Sequence, residues 1–228
     1  MVRVLKNLRQ LWPSLSIVFL LTLATPASSQ IAIDQTDTQQ WNDVILSLPI
    51  TKQVDFNMLA TLRLGRDISR PVDERFGVGA TWRIGQHLSL VPAYLHIETQ
   101  PSAGRKGHEE RLNMAANLRF EANKFRFIDR NLLERRFRNP GTTSTRYRNR
   151  LQVEHPVGPD NMKLSVFVSE EVFYDWSVDD WVRNRIAAGI SKPLNKNITL
   201  DVYYLRQNDG RSLPGDIHAI GTTWRIKL

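Results

Sequence analysis

The stretch RYRNRLQVE sets Arg146, Arg148, Arg150, Gln152 and Glu154 at every second position. Successive side chains of an extended strand point to opposite faces, so these five make one polar row while Tyr147, Leu151 and Val153 turn away from it. Guanidinium groups two residues apart repel one another unless anions or carboxylates lie between them. Glu134 and Glu171, on the neighbouring strands, are the natural partners. The chemistry this offers is electrostatic, because the planar arginine fork pairs bidentately with carboxylate or phosphate. A second candidate is HLS, where His87 and Ser89 share a strand face and supply the residue types of a base and a nucleophile. A group to orient the imidazole is missing, since Glu98, eleven residues on, has the opposite parity. His96, His108, His155 and His218 are scattered, with no His-x-x-x-His spacing, so no metal is expected. The chain has no cysteine, which excludes thiol catalysis, cysteine metal sites and disulfides. GVGATWRIG ends in a strand and a turn, not a helix, so it is no phosphate loop, and no cofactor is implied. Gly77 and Gly79 mark instead a crowded or sharply curved wall.

The elements that carry these residues are strands. Phe56, Met58, Ala60, Leu62 and Leu64 share one parity against Asn57, Thr61 and Arg63, with Leu59 the exception. Phe76, Val78, Ala80, Trp82 and Ile84 oppose Arg75, Gly77, Gly79, Thr81 and Arg83. Leu112 to Phe120 and Ile198 to Tyr204 alternate in the same way. The runs are about ten residues long, where a soluble strand has about five or six and a tilted membrane-crossing strand needs about 9–11. Eleven are expected, near 40–48, 54–64, 75–84, 88–98, 110–120, 125–137, 145–154, 163–174, 182–190, 198–206 and 217–228. Short connections (49–53, 85–87, 121–124, 192–197) alternate with longer polar ones (65–74, 99–110, 139–145, 175–180, 208–216), as they do in transmembrane barrels. An even strand count is the rule for such barrels, so QIAIDQTD (30–37) is expected either to add a short twelfth strand or to thread the lumen. One strand fits badly: Phe125, Phe127, Leu133 and Phe137 share a face with Asp129, Asn131 and Arg135. A bulge near 128–131 would repair it.

The chain opens with a leader. Arg3, Lys6 and Arg9 precede the uncharged run Leu15 to Leu23, and Ala27-Ser28-Ser29 offers small residues for cleavage after Ser29. Residues 1–29 therefore read as a signal peptide and 30–228 as one domain. Of 31 basic side chains three leave with the leader, against 23 acidic ones, so the exported chain carries about +5. Export makes nucleic acid an unsuitable partner for that charge.

If the apolar parity faces lipid, the inward set holds Asp43, Arg63, Arg75, Arg83, Arg111, Arg119, Arg126, Arg130, Glu134, Arg146, Arg148, Arg150, Glu154, Glu171, Arg183, Arg185, Asp201 and Arg225. Two readings stay open. The arginine–carboxylate ladder stiffens a narrow barrel, or the surplus of arginine makes a basic lumen that binds or passes small anions. Gly-x-Thr-Trp-Arg-Ile occurs at 79–84 and again at 221–226. Trp82 and Trp224 then belong to an interfacial aromatic girdle, with Ile84 and Ile226 facing lipid beside them. Ile220, Trp224, Ile226 and Leu228 alternate to the last residue. This is similar to the C-terminal signal read by the barrel-assembly machinery, although Leu228 stands where phenylalanine is usual.

In order, WNDVILSLPITKQVDFNMLATLRLG, RFGVGATWRIGQHLSL, RYRNRLQVEHPV, VSEEVFY and RNRIAAGISKPLNKNITLDVYYLRQ resemble the bacterial family designated domain of unknown function 2490. The resemblance covers roughly residues 40 to 228. It rests on Trp41-Asn42, on the row Arg146, Arg148 and Arg150, and on Glu170 or Glu171. It implies an outer-membrane β-barrel and brings no activity with it. The expectation is an all-β, antiparallel up-and-down transmembrane barrel of about twelve strands, ten to twelve in range. It would be a pore or binding barrel in the outer membrane, contacting its lipid, and not an enzyme. The alternatives are a lipid-acting outer-membrane hydrolase using His87 and Ser89, and a soluble periplasmic ligand-binding barrel.

Overall fold

The computed structural model describes residues 36–228 apart from 103, 160, 161 and 213; the expected signal peptide (1–29) and residues 30–35 lie outside the described residues. Eleven strands run β1 (Asp37–Pro49), β2 (Val54–Gly65), β3 (Arg70–Ile84), β4 (Leu88–Ser102), β5 (Arg105–Ala122), β6 (Phe125–Asn139), β7 (Ser144–Val157), β8 (Leu164–Asp175), β9 (Asp180–Pro193), β10 (Ile198–Asp209) and β11 (Ile217–Lys227). Each pairs antiparallel with its sequence neighbour, and β1 closes the barrel against β11. That seam is parallel, running from Asp37↔Ile217 to Ser47↔Lys227. Parallel closure is what an odd number of strands requires. The described ladder closes with eleven strands, inside the expected range of ten to twelve, and the strand or lumen segment expected at 30–37 falls on residues that, up to 35, lie outside the described ones. The chain end is held, not frayed: the Leu228 amide donates to the Ser47 carbonyl at 3.1 Å.

The rim where β1 begins is called upper here, and the rim where β11 ends is called lower. Two of the longer upper connections, 65–74 and 99–110, prove to be mostly strand. Residues 70–74 belong to β3, 99–102 to β4 and 105–109 to β5. Backbone donors absorbed by a ladder need no other partner, which favours extending a hairpin over leaving an open loop. At the lower rim β5 and β6 are joined by Asn123 and Lys124 alone, both at positive φ (49° and 69°), the two-residue turn whose twist matches the strands. At the upper rim Asp37 accepts from the amides of Arg66 and Asp67, each at 3.0 Å.

Parity separates the two faces, and the interior is the polar one. Among the described residues eighteen polar or charged side chains are buried against eleven apolar ones, the reverse of a soluble core. The small apolar cluster of Trp41, Ala187, Leu205, Ile217 and Ala219 sits inside the wall. Large apolar side chains stand outside: Leu112 is 53 % exposed, Val168 57 % and Ile220 56 %. Aromatic clusters flank this belt, with Phe120, Phe125, Phe127 and His155 toward the lower rim and Tyr174, Trp176 and Trp181 toward the upper. Trp82 and Trp224 are outward and close to the lower ends of their strands.

The expected bulge in β6 is absent. Its pairing with β5 and β7 runs without a register shift, so Asp129 and Asn131 stay on the outer face. They are satisfied there by each other and by β7. Asn131 Nδ2 donates to Asp129 Oδ2 at 2.9 Å, Asn149 Nδ2 donates to Asp129 Oδ1 at 2.6 Å, and the Tyr147 hydroxyl donates to Asn131. Closing hydrogen bonds on the same face removes much of the cost that a bulge would have avoided.

The wall is tight where β9 meets β10. A Cβ on Gly189 would press on the Val202 carbonyl and lie 2.8 Å from Tyr203 Cα, both backbone. We expect Gly189→Ala to lose about 1–3 kcal/mol in denaturant unfolding. Gly210→Ala, where nothing lies within 4 Å, should be neutral by comparison. Equal midpoints for the two variants would contradict this account of the wall. Gly79 is similarly placed on β3, where a Cβ would fall 2.7 Å from the Pro92 carbonyl.

Candidate functional site

The densest polar structure spans the inner faces of β5 to β9. Register sets Glu134 opposite Arg146 and Arg150 opposite Glu171. Glu134 has no exposure and gathers three strands. Its Oε1 accepts from Arg111 Nη1 at 3.1 Å and Arg148 Nη1 at 2.8 Å, and its Oε2 from Arg146 Nε at 2.8 Å. Arg148 reaches on to Glu171 with Nη2 at 2.6 Å and Nε at 3.1 Å. Arg185 lies 3.6 Å from the other oxygen of Glu171 and donates to Gln207 at 2.8 Å. Above this hub, Glu109 accepts from Arg136 Nε and Nη2, each at 2.8 Å, and from Arg111 Nε at 2.7 Å.

Two aromatic side chains sit inside the ladder. Phe173 is fully buried, with the guanidinium carbons of Arg146, Arg148, Arg183 and Arg185 4.6–5.4 Å from its ring centre. Trp41 lies between Arg63 at 3.8 Å and Arg185 at 4.9 Å. Arginine suits this contact because its flat, weakly hydrated cation stacks on a π face. The lumen is thereby divided. A cavity of about 780 Å³ opens toward the upper rim and one of about 550 Å³ toward the lower. Arg63, Arg75, Arg111, Arg148 and Arg185 wall both, so the partition between them is a layer of guanidinium groups.

Below the layer the charge is unbalanced. Arg130 and Arg150 are direct cross-strand partners, and among the described residues neither has a carboxylate within 4.0 Å. Arg150 Nε is buried without a hydrogen-bond partner. The acidic residue in register with Arg150, Glu171, is already held by Arg148. Arg119 lines the same cavity. Glu154, in the same row, turns to Arg126 at 3.0 Å and Gln152 at 2.6 Å.

A sequence profile built for one family, described as protein of unknown function (DUF2490), matches residues 38–216, from β1 through β10 to the residue before β11. The chain belongs to the DUF2490 family. No curated protein matches its sequence. Three solved structures share parts of its fold at low identity. LpxR from Salmonella typhimurium is 7 % identical with a TM-score of 0.49, over 76 % of this chain and 83 % of that one. An anion-selective porin from Comamonas acidovorans is 13 % identical with a TM-score of 0.40, over 77 % of this chain and 54 % of that one. The siderophore receptor PirA from Pseudomonas aeruginosa is 14 % identical with a TM-score of 0.28, over 75 % of this chain and 34 % of that one.

In this DUF2490 barrel the structure distinguishes Glu170 from Glu171. Glu171 turns inward to Arg148, while Glu170 is exposed on the outer wall and accepts from Asn184 Nδ2 at 2.8 Å. Arg183 pairs with Asp209, and Arg225 with Asp201 at 2.7 Å. His87 and Ser89 are not brought together. His87 Nδ1 lies 2.9 Å from the Arg119 carbonyl, and Ser89 Oγ lies 3.5 Å from Asn117 Nδ2. Among the described residues no hydrogen bond joins the pair and no carboxylate bonds to His87, so the triad geometry for ester hydrolysis is not formed.

Among the inward groups that sequence reasoning passed over are Trp41, Asp73, Glu109, Arg136 and Phe173. Asp73 and Glu109 fall in stretches read as loop. Trp41 and Phe173 carry the inward parity of Asp43 and Glu171, but an aromatic side chain reads as lipid-facing by default. An outer-wall cluster was also unforeseen. His96 Nδ1 lies 2.7 Å from Glu110 and its Nε2 3.0 Å from Glu98, with Tyr94 donating to Glu110.

Proposed function

We propose that this DUF2490 protein is a narrow, anion-preferring pore of the outer membrane. The observation that carries this is the Arg130–Arg150 pair, two lumen cations in direct register with, among the described residues, no carboxylate within 4.0 Å of either. A ladder built only for stiffness would pair every buried guanidinium, because an unpaired buried charge is costly. A lumen that holds anions from solution leaves some cations free for them. The membrane setting is supported by the outward apolar belt, the aromatic clusters at its two margins, and strands of 11 to 18 residues against the ~9–11 that a tilted crossing needs. A soluble ligand-binding barrel would bury its apolar face and expose its polar one. On this reading the lower rim, with the chain end, is periplasmic.

The test is reconstitution in planar bilayers under a salt gradient. Small single-channel currents with a reversal potential on the anion side are expected. Arg130→Ala combined with Arg150→Ala should move that potential toward zero. Cation preference, or silence from protein shown to be folded by heat-modifiable gel migration, would overturn the reading.

A further inference from the structure

The lower cavity carries more than an anion path requires. Among the described residues three buried polar atoms on its wall are without partners, and they are of two kinds. Arg63 Nε and Arg150 Nε are donors and Asn113 Oδ1 is an acceptor. A bare anion such as chloride answers only the donors. Arg130 and Arg150 lie directly opposite each other on β6 and β7, and like charges so placed are destabilising until something negative bridges them. Arg119, on β5, adds a third guanidinium to the same cavity. Three planar forks match the several acceptor oxygens of a phosphate better than the two of a carboxylate. Another part of the wall is apolar and aromatic: Phe167 and Tyr203, with ring centres 6.4 Å apart, line this cavity together with Leu59 and Leu205. Its volume of about 550 Å³ exceeds what a free phosphate fills and lies in the range of small-molecule sites, about 300–1,000 Å³.

We infer that the lower cavity is a binding site for a hydroxyl-bearing phosphomonoester, such as a phosphorylated sugar. The phosphate lies on Arg130 and Arg150, a ligand hydroxyl donates to Asn113 Oδ1, and the carbon skeleton packs on the Phe167 and Tyr203 side. This rests on the lumen being reached by anions and narrows it to a ligand class.

The probe is glucose 6-phosphate, titrated calorimetrically into the detergent-folded full chain, with glucose and inorganic phosphate run alongside. Saturable binding is expected, at least tenfold tighter than either control. Arg150→Gln and Arg130→Gln should each weaken it tenfold or more. Asn113→Ala should abolish the advantage over inorganic phosphate while leaving phosphate binding in place. Arg150→Lys, which keeps the charge and loses the fork, serves where the glutamine variant fails to fold, and it too should bind more weakly. Absence of saturable binding by folded protein overturns the inference, as does an unchanged affinity in the folded arginine variants. Bilayer recordings on the same preparations separate the two claims. Anion preference without glucose 6-phosphate binding sinks the site and leaves the pore, whereas loss of anion preference sinks the pore reading itself.

Discussion

Glu134→Ala is expected to lower the stability of the barrel by about 3–5 kcal/mol, the range for removing one partner from a buried ionic cluster. The side chain has no exposure and holds guanidinium groups from two other strands, β5 and β7. Not all of these are equally dependent on it. Arg111 keeps Glu109, and Arg148 keeps Glu171. Arg146 has no second carboxylate within 4.0 Å among the described residues, so it is the cation left buried and unpaired. Equilibrium unfolding in denaturant from detergent micelles, followed by the shift in heat-modifiable migration, measures the loss. Glu134→Gln keeps an acceptor oxygen and should fall between wild type and the alanine variant. The effect should depend little on salt, since ions screen buried pairs poorly. An unchanged midpoint for Glu134→Ala would show that the ladder contributes nothing to closing the wall.

Phe173→Ala is expected to act on stability and on the lumen together. The ring is fully buried, and truncating a buried phenylalanine costs about 3–5 kcal/mol. Four guanidinium groups lose their π face as well, with contributions of about 0.5–2 kcal/mol each where desolvated. These terms overlap, so the measured loss should be less than their sum. In the bilayer the same change should raise single-channel conductance severalfold, because the ring fills the space beside the arginine layer that separates the two cavities. Anion preference should survive, since every arginine of the layer remains. Phe173→Leu, filling most of the volume, should recover stability more than conductance. Conductance equal to wild type in a folded Phe173→Ala barrel would place the constriction elsewhere.

How much of this was legible beforehand follows from the period of a strand. A repeat of two assigns every residue of a long strand to one face or the other as soon as one is placed. That is why the eleven strands could be read from alternation, and why Arg111, Glu134, Arg148 and Glu171 fell together on the inward set once the apolar parity was taken to face lipid. Leu59, an exception to the apolar-out pattern, obeys the same rule and lines the lower cavity. The rule misled where composition was allowed to overrule it. Asp129 and Asn131 prompted a bulge that would hide them from lipid, yet the ladder keeps its register and the two are satisfied sideways by Asn149 and Tyr147. Polar stretches such as 99–110 read as loop because polarity is the local mark of a loop, while a hairpin rising past a rim is polar for the same reason.

The sequence by itself determined the strand pattern, the arginine surplus and the family, because all three depend on residue types at local spacing. Only the tertiary structure decided that the polar face turns inward, that eleven strands close through a parallel seam, that Arg146 rests on Glu134 while Arg148 bridges Glu134 and Glu171, and that Phe173 and Trp41 stand among the arginines. It alone showed Arg130 and Arg150 without carboxylates within 4.0 Å among the described residues. Pairing across a barrel depends on register and shear between strands far apart in the chain. Two carboxylates of equal parity are indistinguishable in a sequence until that register says which guanidinium each one faces.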